Sequence, residues 1–450
     1  RWYSDNMNMH KTSRGQYFTV NTDVQEVICN LLHSPVNSAG LEPSAGSGEL
    51  MRALSHHSYT HVVGIELDPT IPLVDPNLNI SYGSFFDMPI RKYDFVFGNP
   101  PYVAWKNIET TQKTGNLLKI KTRYSDKANL YYLFMDRLID CVKNGGEMIL
   151  IIPKEWLYST SAKPLREKLL TFGSITEFVD CGEEKLFPDA DVPTLMIMRW
   201  EKTCGLPMRY ATTLQNAKQN TWDTRYLTVW GEHWFIHPTL TTQELTHNFI
   251  RLGEYYTVKV GIVSGADSIY RLPSTLTTLI PNQYIQPYIT TKGVEYFIDP
   301  TGIRNIPQLP QTLKDRLFAN KKLLLNRGIR KFTDQNWWEY GANRNRDIML
   351  SDTPRFYAYG RTRQKPFFTL PLQDAKLYSG GILGIFKKST TPQWCSPGKL
   401  MEYLNSPFAS QLYQALGVKT NTKTSFQPRT LEDVPIPNTL QLLNRCCLTK

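Results

Sequence analysis

One short segment of the sequence combines residue types that could act on a planar amine. Asn99, Pro100, Pro101 and Tyr102 directly follow the apolar stretch 95–97. Because proline fixes φ and removes a backbone donor, the Pro100 carbonyl should stand clear of strand pairing on a rigid turn. With the Asn99 side-chain oxygen beside it, two acceptors would meet the two hydrogens of an exocyclic amine, and Tyr102 could stack on the ring. A plain Asx-type turn explains Asn-Pro alone, but not the whole combination.

A glycine-rich turn earlier in the chain has the character of a ligand-binding loop. Residues 41–48 form the sequence Leu-Glu-Pro-Ser-Ala-Gly-Ser-Gly, between a predicted strand and a predicted helix. Gly46 and Gly48 carry no Cβ, so the backbone can approach a ligand closely there. The turn is not a phosphate-binding GxxxxGK[ST] loop, because no lysine follows, and it lacks the third glycine of the dinucleotide pattern.

Two acidic residues follow the next predicted strands at a spacing that suits an adenosine-containing cofactor. Glu66 ends the apolar stretch 62–66, where a carboxylate can accept hydrogen bonds from a ribose diol. Asp87 ends the third predicted strand, 80–87, where a carboxylate could receive an exocyclic amine. Open parallel sheets bind ligands at the carboxyl ends of their strands, where the turn and both acids are expected. Together they indicate an adenosine-type cofactor.

The elements that must position these residues alternate between strands and helices in the first half of the chain. Apolar residues at helical spacing predict helices at 24–32 and 129–143, and the glycines at 145 and 146 should end the second one. Near-continuously apolar stretches predict buried strands at 62–66, 80–87, 95–97 and 148–152. This alternation predicts a Rossmann-like α/β fold, a mostly parallel sheet with helices on both faces.

Charge is distributed unevenly over the 450 residues, whose net charge is +11. Residues 1–243 contain 24 basic and 26 acidic residues, whereas residues 244–450 contain 27 basic and 14 acidic residues. A strongly basic region suits a polyanion, because neutralising phosphates releases condensed counterions. After about residue 205 the elements also become short and mixed. We therefore predict a catalytic domain at 1–243 and a mixed α+β, polyanion-binding domain at 244–450.

Composition excludes several classes of protein. The longest apolar run, 148–152, is too short to span a bilayer, and no apolar signal segment opens the chain. We therefore expect no membrane partner and a cytoplasmic location. The seven cysteines are odd in number and include no CxxC pair. This argues against a disulfide scaffold and a structural zinc site, so no metal site is expected.

These motifs together resemble the gamma-class, TaqI-like adenine-N6 DNA methyltransferases of restriction–modification systems. The likeness is strongest at 95–102 and extends to 15–19, 41–48, 129–134, 145–153, 187–188, 261–267, 403–406 and 431–437. It implies a methyltransferase domain followed by a DNA target-recognition domain, with S-adenosylmethionine as the cofactor. It also implies methylation of an adenine flipped out of double-stranded DNA, protecting the DNA from a cognate restriction endonuclease. A monomer in a bacterial or archaeal cytoplasm is expected.

The resemblance assigns roles to individual residues. Those implied to be catalytic are Asn99, Pro100, Tyr102 and Phe187, with Phe187 stacking on the target base. Those implied to bind the cofactor are Thr19, Glu42, Ser44, Gly46, Gly48, Glu66, Asp87, Asn99 and Phe134. Thr19 would lie near the amino-acid end of the cofactor, and Phe134 would line the adenine pocket. The family often has an aromatic residue directly after the adenine-binding acid. Here Met88 takes that position, and Phe85 or Phe86 is expected to compensate.

Two basic regions are candidates for DNA contact. The polar segment 105–127 follows the catalytic turn and could close over DNA, with a solvated surface loop as the alternative. In the second half, cations alternate with aromatic residues, which suits contacts with the DNA backbone and grooves. The cations are Arg327, Arg330, Lys331, Arg344, Arg346, Arg355, Arg361, Arg363 and Lys365, and the aromatic residues are Trp337, Trp338, Tyr340, Tyr357 and Tyr359.

Other functions stay open from the sequence. Methylation of the cytosine exocyclic amine uses a related element, more often with Ser in the first position, so Asn99 favours adenine. Methylation of a cytosine ring carbon needs a nucleophilic Cys, usually after Pro, and no Pro-Cys dipeptide occurs. Protein glutamine methyltransferases and RNA adenine methyltransferases are weaker alternatives. A non-catalytic DNA-reading specificity module would explain residues 244–450 but leave the Asn-Pro-Pro-Tyr turn without a purpose.

Overall fold

The computed structural model describes residues 19–182, 184, 186, 194–363, 366–372, 374–419 and 423–448. The chain divides into two compact units, residues 1–242 and 243–450. Each unit has its own sheets and its own buried core. The activities predicted for the two halves stay predictions, because this division does not test them.

The first unit alternates helices and strands, as its sequence predicts. Its helices, within the described residues, are α1 Thr22–Leu31, α2 Glu49–His56, α3 Gly115–Lys121, α4 Leu130–Cys141, α5 Lys163–Phe172 and α6 Leu214–Lys218. Short 3-10 turns cover Trp105–Asn107, Thr110–Gln112, Lys154–Leu157 and Thr160–Ala162. The strands are β1 Gly40–Glu42, β2 Val62–Glu66, β3 Ile80–Tyr82, β4 Tyr93–Gly98, β5 Val142–Pro153, β6 Ser174–Asp180, β7 Leu195–Glu201, β8 Met208–Ala211, β9 Asp223–Trp230 and β10 His233–His237.

These strands form one large sheet in the order β10-β9-β8-β6-β7-β5-β4-β1-β2-β3. The half from β5 to β3 is parallel throughout, and β6 also pairs with β8 in parallel. β7 runs antiparallel between β5 and β6, and β9 and β10 add an antiparallel edge. The predicted mostly parallel α/β sheet is confirmed. The carboxyl ends of β1, β2 and β4 therefore lie side by side.

Helices cover both faces of this sheet, because successive side chains along a strand point to opposite faces. On β4, Phe95 and Phe97 are buried with residues of α1 and α2, such as Val24 and Leu54. Val96 between them is buried with residues of α4 and α5. Each face thus has its own apolar core, which explains why β4 and β5 are apolar along most of their length.

Two sequence-based boundaries are wrong. The predicted third strand, 80–87, ends at Tyr82, because Gly83 adopts a φ of 142° that ends regular pairing. Asp87 therefore lies in a turn beyond β3 and not at the end of the strand. The predicted helix 129–143 begins after its cap Asn129 but ends at Cys141, where β5 starts at once. Residues 144–146 consequently belong to β5 and do not end the helix.

The second unit is a mixture of short helices and small sheets, which fits the predicted α+β class. Its helices are α7 Thr242–Asn248, α8 Leu252–Tyr255, α9 Asp267–Tyr270, α10 Ser274–Thr277, α11 Gln311–Ala319, α12 Lys321–Leu325, α13 Arg346–Leu350, α14 Pro397–Leu404, α15 Pro407–Ala415, α16 Pro428–Glu432 and α17 Leu440–Leu448. Its strands are β11 Phe249–Arg251, β12 Tyr256–Val260, β13 Arg271–Leu272, β14 Ile285–Thr290, β15 Gly293–Ile298, β16 Arg355–Tyr359, β17 Arg361–Thr362, β18 Phe368–Thr369, β19 Leu377–Tyr378, β20 Ile382–Lys387, β21 Thr424–Ser425 and β22 Pro435–Pro437.

Two four-stranded sheets carry the core of this unit, in the orders β12-β20-β16-β18 and β13-β15-β14-β19. Their strands pair antiparallel except for β14 and β19, which are parallel. Two further pairs, β11 with β22 and β17 with β21, join distant parts of the chain. Across the described residues, every helix is too short or too polar to cross a bilayer.

Candidate active site

Two cavities lie where the turns after β1, β2 and β4 come together. The larger has a volume of about 270 Å³, and the smaller shares three of its lining residues, Ser44, Gly46 and Asn99. Six residues expected at the site line the larger cavity, namely Ser44, Gly46, Glu66, Asp87, Asn99 and Phe134. Thr19 and Glu42 line the smaller cavity. Residues far apart in sequence thus meet at one edge of the sheet, where open parallel sheets bind ligands.

Glu66 holds the glycine-rich turn in place. Its Oε2 accepts a hydrogen bond from the Gly46 amide at 2.7 Å, and its Oε1 accepts one from the Asp68 amide at 2.9 Å. Gly46 has a φ of 56°, a conformation that glycine adopts without steric cost. Burial raises the pKa of Glu66 above its usual value. Each carboxylate oxygen can accept further hydrogen bonds, so Glu66 can hold the turn and still receive a ligand hydroxyl.

Gly48 has a structural task in this turn. It lies directly before α2 with a φ of 86°, and a Cβ there would be 2.3 Å from Leu78 Cδ1. Gly48 lines neither of the two cavities. The positive φ therefore favours glycine at this position, and the role of Gly48 in cofactor binding stays a prediction.

Glu42 is a buried carboxyl group at the wall of the smaller cavity. The residue is only 3% exposed, and its Oε2 has no hydrogen-bond partner among the described residues. Burial, and then the neighbouring Glu66, raise the pKa of Glu42 well above its usual value. An unpaired buried acceptor is costly unless a partner arrives. The site therefore suits a ligand that brings a positively charged or hydrogen-bond-donating group to this oxygen.

Asn99 lies at the junction of the two cavities. Its Nδ2 donates a hydrogen bond to Thr19 Oγ1 at 3.2 Å, and its backbone carbonyl accepts one from Ser44 Oγ at 3.2 Å. Its side-chain oxygen accepts a hydrogen bond from the Tyr102 hydroxyl, which also lies 2.8 Å from the Ile151 carbonyl oxygen. Because a hydroxyl has one hydrogen, Tyr102 can donate to only one of these two oxygens at a time.

Pro100 and Tyr102 lie outside the lining of the two cavities. Pro100 is buried, and Tyr102 is half-buried with its ring edge-on to Tyr131, the centroids 5.8 Å apart. Neither side chain lines either cavity. Phe187 lies outside the residues that the structure describes. Of the predicted catalytic set, the structure therefore brings Asn99 to the cavity. Tyr102 contacts Asn99 and does not line the cavity.

Aromatic rings form one wall of the larger cavity. The Phe85 ring stacks on the Phe134 ring with centroids 5.4 Å apart, and the Phe86 ring meets Phe134 edge-on at 4.9 Å. All three rings line the cavity, whereas Met88 is absent from its lining. Two aromatic residues before Asp87 thus occupy the wall where the resemblance leads one to expect an aromatic after it. A flat apolar ring system such as adenine suits this wall.

The segment 105–127 supplies another wall that the sequence analysis missed. Thr111, Gln112, Thr114 and Leu117 line the cavity, and Asn116 Nδ2 donates a hydrogen bond to the Phe86 carbonyl at 3.0 Å. The alternative of a solvated surface loop does not hold for the whole segment, because Leu117, Ile120 and Tyr124 are buried; closure over DNA stays a prediction. A signal was available, since these three residues recur at helical spacing. The many charged residues around these three made the helical pattern easy to miss.

Several cations of the second unit proposed above as DNA contacts are buried parts of its core. The Arg327 guanidinium donates to the carbonyls of Ser264, Trp337 and Glu339 at 2.6–2.9 Å, and it lies 3.9 Å from the Phe332 ring centroid. Arg355 is 8% exposed and donates to the backbone carbonyls at 349, 351 and 353. The expectation that these two arginines contact DNA is wrong, because their donors are occupied inside the protein.

The remaining cations of that set divide into paired and exposed groups. Arg346 is paired with Asp299, and Arg330 with Glu339 at 2.7 Å. The aromatic residues Trp337, Trp338, Tyr340 and Tyr357 are all buried and therefore pack the core. Lys365 lies outside the described residues. Lys331, Arg344, Arg361 and Arg363 are exposed, as is the paired Arg330.

Comparison with known proteins finds similarity to restriction–modification methyltransferases. Residues 75–187 match the family model of the Eco57I restriction-modification methylase. The chain is 33% identical over 181 residues to the Type II methyltransferase M.HincII of Haemophilus influenzae, covering 39% of this chain and 35% of that protein. It is 23% identical over 341 residues to the Type II methyltransferase M.PaeR7I of Pseudomonas aeruginosa, covering 65% of this chain and 58% of the relative.

A solved structure extends the likeness of fold over nearly the whole chain. The Type IIL restriction-modification enzyme MmeI, solved in complex with DNA, superposes with a TM-score of 0.52 at 10% identity. The match covers 94% of this chain and 64% of MmeI. At this identity the likeness concerns the fold alone. The M.HincII match spans about a third of that relative, so the relatives' activities come to this chain only as proposals.

Proposed function

We propose that this protein is a site-specific DNA methyltransferase that transfers a methyl group from S-adenosylmethionine to the exocyclic amine of an adenine flipped out of duplex DNA. One observation carries the proposal. Asn99, from the turn after β4, lines the same cavity as Glu66 and Asp87 and also the smaller cavity beside Glu42. A residue suited to receive an amine is thus placed beside a set suited to hold an adenosine with an amino-acid tail.

The residues present fit S-adenosylmethionine. Phe134 and its neighbours would cover the adenine ring, Asp87 would receive the adenine amine, and Glu66 the ribose hydroxyls. The buried, unpaired Oε2 of Glu42 would receive the ammonium group of the amino-acid end, where Thr19 also lies. An ammonium there would offset the burial that raises the pKa of Glu42. When bound, the cofactor supplies a methyl group on a positively charged sulfur, which is a good leaving group.

The turn after β4 would activate the adenine amine. The lone pair of this amine is shared with the ring, so the amine is a poor nucleophile. Asn99 Oδ1 and the Pro100 carbonyl would accept its two hydrogens, favour a pyramidal nitrogen and expose the lone pair. The nitrogen would then bond to the methyl carbon as the carbon–sulfur bond breaks, and a proton would leave to water. These hydrogen bonds strengthen as positive charge develops on nitrogen, so they act mainly in the transition state.

For this chemistry Tyr102 must release Asn99. The Tyr102 hydroxyl donates to Asn99 Oδ1, while the Ile151 carbonyl, 2.8 Å away, is a second acceptor for the same hydrogen. The hydroxyl can therefore turn to Ile151 when a target amine arrives, without losing a partner. The Tyr102 ring would then stack on the flipped base, and the resemblance implies Phe187 on the other side. Stacking offsets a base-flipping cost of roughly a few kcal/mol.

The proposal extends to partners and location. Double-stranded DNA would be bound with help from the basic second unit, whose exposed cations suit phosphate contacts. A cognate restriction endonuclease would be the functional partner, and the protein would act as a monomer in a bacterial or archaeal cytoplasm. These statements rest on the resemblance and on the named relatives.

Methyl transfer to duplex DNA tests the proposal directly. The full chain is incubated with methyl-labelled S-adenosylmethionine and genomic DNA from a host that lacks adenine methylation, and the DNA is then digested to nucleosides. We expect label in N6-methyladenine. Label in N4-methylcytosine would show that the target base is cytosine and not adenine. Binding of DNA with no label transferred would favour the non-catalytic specificity module instead.

A further inference from the structure

A chain of side-chain contacts connects Glu155 with the predicted catalytic turn. Tyr131 donates a hydrogen bond to Glu155 Oε1 at 2.9 Å, and the Tyr131 ring meets the Tyr102 ring edge-on with centroids 5.8 Å apart. Tyr102 in turn donates its hydroxyl to the side chain of Asn99. Glu155 thus fixes the ring that lies against Tyr102, although Glu155 lines neither cavity of the site.

We propose that Tyr131 and Glu155 are positioning residues that hold the Tyr102 ring at the angle required to stack on the target base. They would act on the base through Tyr102 and would contact neither base nor cofactor. This inference rests on the proposed function, because it assigns to Tyr102 a flipped adenine as its partner. Neither residue is among those that the resemblance marks as catalytic.

The backbone around Glu155 is held in place by hydrogen bonds. It lies in the 3-10 turn Lys154–Leu157, directly after β5. The buried Arg166 donates from Nη1 to the Trp156 carbonyl at 2.6 Å and to the Ser159 carbonyl at 2.7 Å. This guanidinium ties the turn and the residues just after it to α5, so the carboxylate has a fixed position from which to hold Tyr131.

Tyr131 is suited to transmit that position. Its side chain is fully buried, and burial, then the adjacent Glu155, raise its pKa well above the usual value. The hydroxyl therefore stays protonated and keeps donating to the carboxylate. An edge-on contact between two rings contributes little free energy, so by itself it restrains the two rings weakly. The hydrogen bond at the far end of Tyr131 strengthens that restraint, and so holds the Tyr102 ring as well.

The need for such a restraint follows from the geometry of methyl transfer. The amine nitrogen must lie in line with the breaking carbon–sulfur bond, and a displacement of about 1 Å can cost roughly 100-fold in rate. A base stacked on a loosely held tyrosine would sample misaligned positions. Releasing Tyr131 should therefore slow the chemical step while leaving the cofactor pocket, formed by other residues, unchanged.

Tyr132 is a matched control for this experiment. Its hydroxyl also bonds to Glu155, at 2.8 Å from both carboxylate oxygens. In the described part of the chain, however, its ring contacts are with Tyr124 and Tyr131 and not with Tyr102. Tyr131→Phe and Tyr132→Phe therefore each remove one hydroxyl from the same half-buried carboxylate, but only the first frees a ring that touches Tyr102.

The experiment measures single-turnover methyl transfer by the full chain on duplex DNA with saturating S-adenosylmethionine. We expect Tyr131→Phe to lower the rate about 10-fold and Tyr132→Phe by less than about 2-fold, with cofactor Kd changed by less than about 2-fold in both. With 2-aminopurine in place of the target adenine, Tyr131→Phe should give brighter fluorescence, because the flipped base is less firmly stacked. Glu155→Gln, which keeps the size of the side chain, should lower the rate in the same direction.

Three results would overturn the inference. Equal losses in the two tyrosine variants would show a general effect of disturbing Glu155, and a weakened cofactor Kd in Tyr131→Phe would place the effect in the cofactor pocket. An unchanged rate in folded Tyr131→Phe and Glu155→Gln would show that these residues do not restrain the Tyr102 ring. If instead the wild-type chain transfers no methyl group to DNA, the proposed function itself fails. Active wild type with unaffected variants contradicts the inference alone.

Discussion

The sheet edge of the first unit and the basic region of the second unit use charged side chains in opposite ways. At the edge, Glu42 keeps a buried oxygen without a partner among the described residues, and Asp87 faces a cavity. In the basic region, Arg327 and Arg355 are buried with their donors on backbone carbonyls. An unsatisfied buried group points to a ligand, whereas a satisfied one points to folding. Whether a charged side chain binds a ligand or stabilises the fold is therefore better judged from its hydrogen-bond partners than from the sign of its charge.

The largest contrast is expected from two cations of the second unit that look alike in the sequence. Arg327→Ala should lower the free energy of unfolding by about 3 kcal/mol, because it leaves several buried carbonyls without a donor. Lys331→Ala, at an exposed position nearby, should change it by less than about 0.5 kcal/mol. Denaturant unfolding of the two variants measures the difference. Equal, small effects would mean that Arg327 is not a structural residue.

The predictability of these two regions differed for a physical reason. The glycine-rich turn and the Asn-Pro-Pro-Tyr turn depend on local backbone geometry, which proline and glycine impose within a few residues, so Gly46, Glu66 and Asn99 could be placed together. Whether an arginine is buried depends on packing between distant segments, such as Arg327 against Ser264 and Trp337. The position of the wall at 111–117 depends on such packing too, and was missed.

At the edge of the first unit, Asp87 offers a test of the cavity as a cofactor site. Asp87→Ala should weaken binding of S-adenosylmethionine about 10-fold, or about 1.4 kcal/mol, because one hydrogen-bonded acceptor is lost. Asp75→Ala is the control, since the Asp75 carboxylate bonds to nearby Asn77 and Asp75 lines neither cavity. Calorimetric titration measures both affinities. Equal weakening in both variants would show that Asp87 makes no specific contact with the cofactor.

The buried carboxyl of Glu42 should make the stability of the ligand-free protein depend on pH. Its pKa is raised in the folded state, so the carboxyl favours folding below its unfolded pKa, and this contribution is lost as pH rises through the folded value. Glu42→Gln cannot ionise. It should therefore exceed wild type in stability by on the order of 1 kcal/mol at neutral pH, with the difference shrinking toward pH 4.

Thermal unfolding across that pH range, without cofactor, measures the Glu42 effect. The same variant should bind S-adenosylmethionine more weakly, because the amide offers no negative charge to an ammonium group. A Glu42→Gln protein whose advantage is the same at every pH would show that the carboxyl is not held neutral by burial.

The smallest expected effects concern the exposed cations Lys331 and Arg344. Each substitution by Ala should weaken DNA binding only a few-fold and lower the slope of log affinity against log salt by about 1. Arg330, which is paired with Glu339, should have a smaller effect on that slope. Binding titrations at several salt concentrations measure these slopes. DNA binding that does not depend on salt would contradict a role for this surface.

The central claim is that Asn99 activates the target amine beside a bound methyl donor, and the most direct test is Asn99→Ala. Single-turnover methyl transfer to duplex DNA is measured together with the Kd for S-adenosylmethionine. We predict a loss of at least about 100-fold in rate, or about 2.7 kcal/mol, with the Kd nearly unchanged. Near-normal transfer by a folded Asn99→Ala protein would contradict the mechanism.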